Sequence, residues 1–118
     1  MSITKQTGNF GEDLAKKYMI EQGFQILHTN WRYKSWEVDI IAVKNNILHF
    51  IEVKTRKESP FGYPENNVKQ QKMNALKKAA TVYLEQNPQW HSIQFDVIAI
   101  TLQKNLVKEI YWIDDVFF

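Results

Sequence analysis

The chain contains no cysteine, which excludes disulfides and every thiolate metal site. It also lacks an apolar run long enough to span a membrane. The opening stretch, MSITKQTGNFGED, has no apolar centre of the kind a signal peptide carries. No repeat, low-complexity tract or linker divides the sequence. A soluble, cytoplasmic protein with no membrane partner is therefore expected. A strong charge of one sign is missing too: the net charge is only +2, which says little about partners. Apolar material is what remains in quantity. The 118 residues are 44% hydrophobic and 14% aromatic, enough for the core of one domain spanning 1–118.

Hydrophobic spacing predicts the elements. NFGEDLAKKYMIEQG reads as a helix whose stripe is Leu14, Ala15, Tyr18 and Met19, stopped by Gly23. FQILHTNWRY, WEVDIIAV and ILHFIEVKT read as three strands. SPFGYPEN is a loop, and NNVKQQKMNALKKAATVYLEQ is a second helix ended before Pro88. SIQFDVIAITL and LVKEIYWI are two further strands around a turn near Lys104-Asn105. The order α-β-β-β-α-β-β predicts a mixed sheet of about five strands between helices, a three-layer α/β/α domain.

The third strand is apolar on both faces, with Ile47, Ile51 and Val53 on one side and Leu48 and Phe50 on the other. Such a strand is central and covered twice. Glu52 and Lys54 continue the Leu48–Phe50 face. Asn45-Asn46 suits a two-residue hairpin turn. Counting from that turn sets Asp39 opposite Glu52 and Glu37 opposite Lys54. Opposed side chains share a face with Cβ atoms roughly 5 Å apart. Two carboxylates facing each other on a half-buried surface are destabilising, so something must compensate. Lys54 offsets part of the charge, and a divalent cation such as Mg²⁺ or Mn²⁺ offsets more. The alternative is an ion-paired sheet, with Glu37 on Lys54 and the other carboxylates near solvated strand ends.

Two helices aim at the same place. Glu12 falls at the margin of the first helix's stripe, within reach of the sheet rim. It also fits a capping box beginning at Asn9, or a pair with Lys16 one turn on. On the second helix the stripe is Val68, Leu76, Ala79, Ala80 and Tyr83, and Lys69 and Lys72 fall within it. Two lysines so placed head for a cleft holding negative charge, or else snorkel around the sheet edge. From Lys54 to Lys78 the basic residues Lys54, Arg56, Lys57, Lys69, Lys72, Lys77 and Lys78 outnumber Glu58 and Glu65. Such a segment suits a polyanion, and equally a solvated helix face and loop. His28, His49 and His91 are scattered and read as structural or surface residues. The four tryptophans read as packing, with Trp31 and Trp36 as candidates to flank a loop near the site.

Asp39, followed thirteen residues later by Glu52-Val53-Lys54, resembles the D…(D/E)-x-K core of the PD-(D/E)xK nuclease superfamily. Restriction endonucleases, RecB-type nuclease domains and archaeal Holliday-junction resolvases share that core and its element order. More closely, the chain resembles the small bacterial YraN family of predicted endonucleases. GNFGEDLAKKYM, NWRYKSWEVDIIA, FIEVKTRK with FGYPENNV, KMNALKKAATVYL and FDVIAI carry that likeness along nearly the whole sequence. Val38 stands where the superfamily's name has proline. Resolvase-like members offer a glutamine from the second helix; Gln70 and Gln71 are the candidates here, although the helical wheel turns them away from the stripe that carries Lys69 and Lys72.

The resemblance implies a restriction-endonuclease-like fold and a metal-dependent endonuclease, with DNA as partner and branched DNA among the substrates. It assigns Asp39, Glu52 and the Val53 carbonyl to the metal, which polarises the scissile phosphate and acidifies a bound water. Lys54 orients or helps deprotonate that water and stabilises the developing charge. Glu12 binds a metal through water or holds a second ion. Arg56, Lys57, Lys69 and Lys72 grip the phosphate backbone, a contact independent of sequence. Glu37 stays open as ligand, Lys54 partner or neither. Junction resolvases act as dimers, and by that likeness IYWIDDVFF is a candidate homodimer edge. The rival functions are a nucleic-acid binder that keeps the fold without cutting, and a small structural or adaptor domain.

Overall fold

The computed structural model describes residues 4–57, 70–104, 106–114 and 116. In chain order they form α1 (Thr4–Glu21), β1 (Gln25–Tyr33), β2 (Trp36–Lys44), β3 (Ile47–Lys57), α2 (Gln70–Gln86), β4 (Ile93–Gln103) and β5 (Leu106–Ile113). The predicted loop at 59–66, the first predicted turn of the second helix with Val68, and Asn105 lie outside the described residues. Among the described residues, no helix is long and apolar enough to cross a membrane.

The strands lie in the order β1-β2-β3-β4-β5 in one sheet. Asn45 and Asn46 both take positive φ, 53° and 65°, so a two-residue turn joins β2 to β3. Lys44 then pairs with Ile47, the expected register. β3 and β4 are parallel, which requires a crossover, and α2 lies on that connection. β1–β2 and β4–β5 are antiparallel. The sheet is therefore mixed.

Alternation along β3 sends its apolar side chains to two cores. Leu48 and Phe50 join Ile41, Phe95 and the α2 residues Leu76, Ala79, Ala80 and Tyr83. Ile51 joins Ile40, Ile98, Ile100 and the α1 residues Ala15 and Met19. One helix covers each face, giving the three-layer α/β/α arrangement. Each fully buried Ile, Leu or Phe contributes ~1.5–3 kcal/mol relative to exposure. Met73, absent from the predicted α2 stripe, is buried as well. β5 ends the sheet with Leu106 and Tyr111 exposed.

Both ends of α1 bear on the site. At its C-terminus Gly23 takes φ 96°, and the Gly23 and Phe24 N–H groups donate to the Ile20 and Met19 carbonyls, each at 3.0 Å. That is a Schellman cap. At its start the helix runs back to Thr4, so Asn9 lies inside it. Asn9 is therefore not the N-cap and Glu12 is not at N3, which corrects the capping-box expectation. Gly11 lets the helix approach β3: a Cβ there would overlap the Thr55 hydroxyl. The close approach brings the next residue, Glu12, beside Asn30 and Asp39.

Candidate functional site

The β2–β3 ladder runs from Lys44↔Ile47 to Ile40↔Ile51. One step further the register brings Asp39 to Glu52. There the strands change their manner of pairing. Asp39 Oδ2 accepts the Val53 backbone N–H at 2.8 Å, doing with a side chain what a backbone carbonyl does elsewhere in the ladder.

A local irregularity accompanies the change. Asn30, which faces Asp39 in the β1–β2 register, takes φ 53°. Beyond it Trp31 turns to the α2 side and meets Tyr83 edge to face at 5.3 Å. Val38 and Ile41 are three residues apart yet line the same core beneath α2. Strict alternation thus fails around Asp39. With it fails the expected pairing of Glu37 with Lys54. Arg32 Nη2 donates to Glu37 Oε2 at 2.8 Å instead, because the β1–β2 register sets Arg32 opposite Glu37.

Asp39 and Glu52 are both buried, at 6% and 7% exposure. Burial, and then the Asp39 charge, pushes Glu52 up to about 7 against the pull of Lys72. Burial also raises Asp39, while the Val53 N–H and the Lys72 ammonium oppose the rise. The two carboxyls also meet directly, a contact that raises Glu52 and lowers Asp39. A like-charge carboxyl pair is expected to behave this way.

Two helices reach this pair from opposite faces. Lys72, in the first turn of α2, sets its Nζ 2.9 Å from Glu52 Oε2. Burial works against its charge, but Glu52, Asp39 and Glu37 together hold its pKa above the ordinary lysine value. Glu12 comes from α1 and is half-buried. Burial and the Asp39 charge raise its pKa, and a hydrogen bond with Asn30 partly offsets them. The expected Glu12–Lys16 pairing gives way to Lys16 with Asp13, at 3.3 Å.

The remaining expected residues are placed variously. Lys54 is half-buried, and alternation along β3 puts it on the Glu52 side. Arg56 Nε donates to Thr101 Oγ1 at 3.2 Å, tying it to β4. Lys57 is exposed at the end of β3, and Gln71 is exposed on α2. Lys69 and the Gln70 side chain lie outside what the structure describes. Trp36 stacks on Tyr33, with the Lys78 ammonium 5.6 Å from its ring centre.

Among the described residues, no three carboxylate or imidazole groups converge as a ready-made metal cage. The available donors are two buried carboxylates and the Val53 carbonyl, which turns to the same neighbour as the Val53 N–H. All are hard oxygens. Such a set could hold Mg²⁺ or Mn²⁺ with water completing the shell.

The other face of the sheet carries a second polar cluster, of which sequence reasoning noted His49 alone. His49 Nδ1 lies 2.6 Å from Asp96 Oδ2, and Gln94 Nε2 donates to Asp96 Oδ1 at 2.9 Å. Asp96 is fully buried, and Phe24 packs edge-on against the imidazole at 4.9 Å. The signal available in the sequence was one acidic residue inside the apolar run FDVIAI. The cluster ties β3 to β4 and stands apart from Glu52, which points to the opposite face.

Fold and site together define a three-layer α/β domain with a buried carboxylate pair where the β2–β3 ladder ends, met by a lysine of the crossover helix. Residues 11–100 match the uncharacterised protein family UPF0102, and the chain belongs to that family, the YraN-type group of the likeness noted above. Asp39, Glu52 and Lys72 all fall within the matched residues. A UPF0102 protein of Flavobacterium psychrophilum is 41% identical over 108 residues, covering 92% of this chain and 91% of its own. One from Caldicellulosiruptor bescii is 40% identical over 116 residues, covering 96% and 98%. A third, from Christiangramia forsetii, is 40% identical over 118 residues, covering 100% and 98%.

Proposed function

We propose that this protein is a metal-dependent endonuclease that hydrolyses phosphodiester bonds, with DNA as the substrate class. The observation that carries the reading is the buried pair Asp39 and Glu52. Such a pair is costly to keep in a sheet: burial raises the proton affinity of both groups, and Asp39 raises that of Glu52 further. A divalent ion resolves that cost, and its donors are Asp39, Glu52 and the Val53 carbonyl. When bound, the ion supplies Lewis-acid polarisation of a phosphate and a more acidic water.

The chain's own residues do the rest. The Val53 N–H fixes the Asp39 carboxylate in orientation. Lys54, on the Glu52 side of β3, presents its ammonium to the non-bridging oxygens of the scissile phosphate and orients the attacking water. Glu12, from the opposite face, adds negative charge beside Asp39 and accepts hydrogen bonds from water around the site. Lys57 and Arg56 follow the backbone past the cut, Arg56 also being braced on Thr101.

One observation favours a second reading. The Lys72–Glu52 ion pair already answers part of the charge, as a binding protein that does not cut would need. Incubating supercoiled plasmid, linear duplex and a four-way junction with Mg²⁺ or Mn²⁺ separates the two. Wild-type cleavage that EDTA, Glu52→Gln and Lys54→Ala each abolish supports the nuclease. Identical behaviour of all three preparations rejects it for these substrates, and salt-dependent binding alone then favours the binder.

A further inference from the structure

The carboxylate pair is met by a cation the chain supplies itself. Lys72 Nζ sits 2.9 Å from Glu52 Oε2, with 57% of the lysine side chain exposed against 9% of the glutamate's. Asp39 and Glu37 attract the same ammonium. The arrangement places one positive charge beside two buried carboxyl groups. A lysine is a compact charge on a flexible four-carbon stem. Its position in the first turn of α2 lets the stem swing outward while Leu76, Ala79 and Tyr83 stay seated in the core.

We propose that Lys72 is an internal counter-cation: it neutralises Glu52 in the metal-free protein, is displaced when Asp39 and Glu52 take a divalent ion, and then turns to a nucleic-acid phosphate. This assignment rests on the proposed metal site and adds its regulation. A divalent ion and an ammonium compete for the same oxygens and repel each other, so both cannot hold Glu52 at full strength. Once displaced, the ammonium stands at the exposed rim of the site, where a phosphate oxygen gives it a new partner. Linkage makes the effect reciprocal. Lys72 weakens metal binding, and bound metal strengthens phosphate binding by releasing Lys72. Metal and nucleic acid thereby favour one another without a change in the fold.

The test is Mn²⁺ titration calorimetry on the full chain, comparing wild type, Lys72→Met and Lys72→Arg, with Glu52→Gln as the ligand-deleted control. Lys72→Met is expected to bind Mn²⁺ roughly twofold to fivefold more tightly than wild type, the scale of a partly exposed ion pair. Lys72→Arg keeps the charge and is expected to stay near wild type. In parallel, fluorescence anisotropy with a short duplex is expected to show Lys72→Met weaker than wild type when Ca²⁺ is present and equal to it without metal. Mn²⁺ binding by wild type with unchanged or weaker binding by Lys72→Met overturns the counter-cation role and leaves the metal site standing. Absence of Mn²⁺ binding in both overturns the metal site and this role together.

Discussion

The Asp39 carboxylate accepts the Val53 N–H at 2.8 Å just past Ile40↔Ile51, the last pair of the β2–β3 ladder. That one bond places an acidic group between two central strands and fixes its direction. Glu52, the neighbour of Val53, then meets Asp39 inside the protein. The proposed chemistry follows from this meeting.

Stability of the metal-free protein should fall as pH rises. Glu52 titrates at about 7 in the folded chain against an ordinary value of 4.5. A folded-state pKa above the unfolded one favours folding when the group is protonated. That stability is complete below about pH 4.5 and is lost as pH rises through 7. The loss is on the order of 3 kcal/mol for Glu52. Urea unfolding in EDTA at pH 5 and pH 8 measures it, and Glu52→Gln should flatten the dependence. For the same reason metal affinity should climb across this range, with release of protons on binding.

Gly11→Ala should displace α1 from β3. The added methyl overlaps the Thr55 hydroxyl, which is buried and has no hydrogen-bond partner among the described residues. A cost of about 1–3 kcal/mol is expected from the overpacking. Thr55→Ala removes the hydroxyl and loses no hydrogen bond among the described residues, so the double variant should recover most of the cost. Thermal unfolding of the two single variants and the double variant gives the coupling. Equal losses in Gly11→Ala and the double variant would place the strain elsewhere.

Asp96→Ala should destabilise without touching the proposed metal site. It leaves a buried imidazole and the Gln94 amide without their shared acceptor. Leaving a buried polar group without its hydrogen-bond partner costs ~1–3 kcal/mol. The unfolding midpoint should drop accordingly, while Mn²⁺ affinity of the folded fraction stays at the wild-type value. A changed affinity would tie the cluster to the site through the sheet.

Glu37→Gln should be nearly silent. Its partner Arg32 has 65% of its side chain exposed, and Glu37 itself has 34%. Surface pairs of this kind are worth about 0–1 kcal/mol. Metal affinity should move far less than in Asp39→Asn. Losses of equal size in the two variants would return Glu37 to the ligand set.

Much of this was legible in the sequence, and the particular residues show why. Asn45-Asn46 fixed the hairpin register, because few residues other than asparagine and glycine accept two positive φ angles in succession. Leu48 to Val53 announced a central strand by being apolar on both faces, and the spacing of Lys72 with Leu76, Ala79 and Tyr83 placed that lysine on an inward stripe. What was not legible depended on contacts between strands. The left-handed Asn30 and the break in alternation near Asp39 leave no periodic trace. Counting along one hairpin set Glu37 opposite Lys54 and left its role open, and the β1–β2 hairpin, with Arg32 opposite Glu37, supplies the partner. A helix start at Asn9 fitted the capping-box pattern, whereas α1 runs back to Thr4 and Gly11 serves the approach to Thr55.

The proposed chemistry depends first on a divalent ion between Asp39 and Glu52. Anomalous diffraction at the manganese edge from crystals grown with Mn²⁺ tests that directly. The predicted result is a peak bonded to carboxylate oxygens of both residues at about 2.0–2.2 Å, with the Lys72 ammonium moved off Glu52. A map without a peak at saturating Mn²⁺, with Lys72 still seated on Glu52, would contradict it.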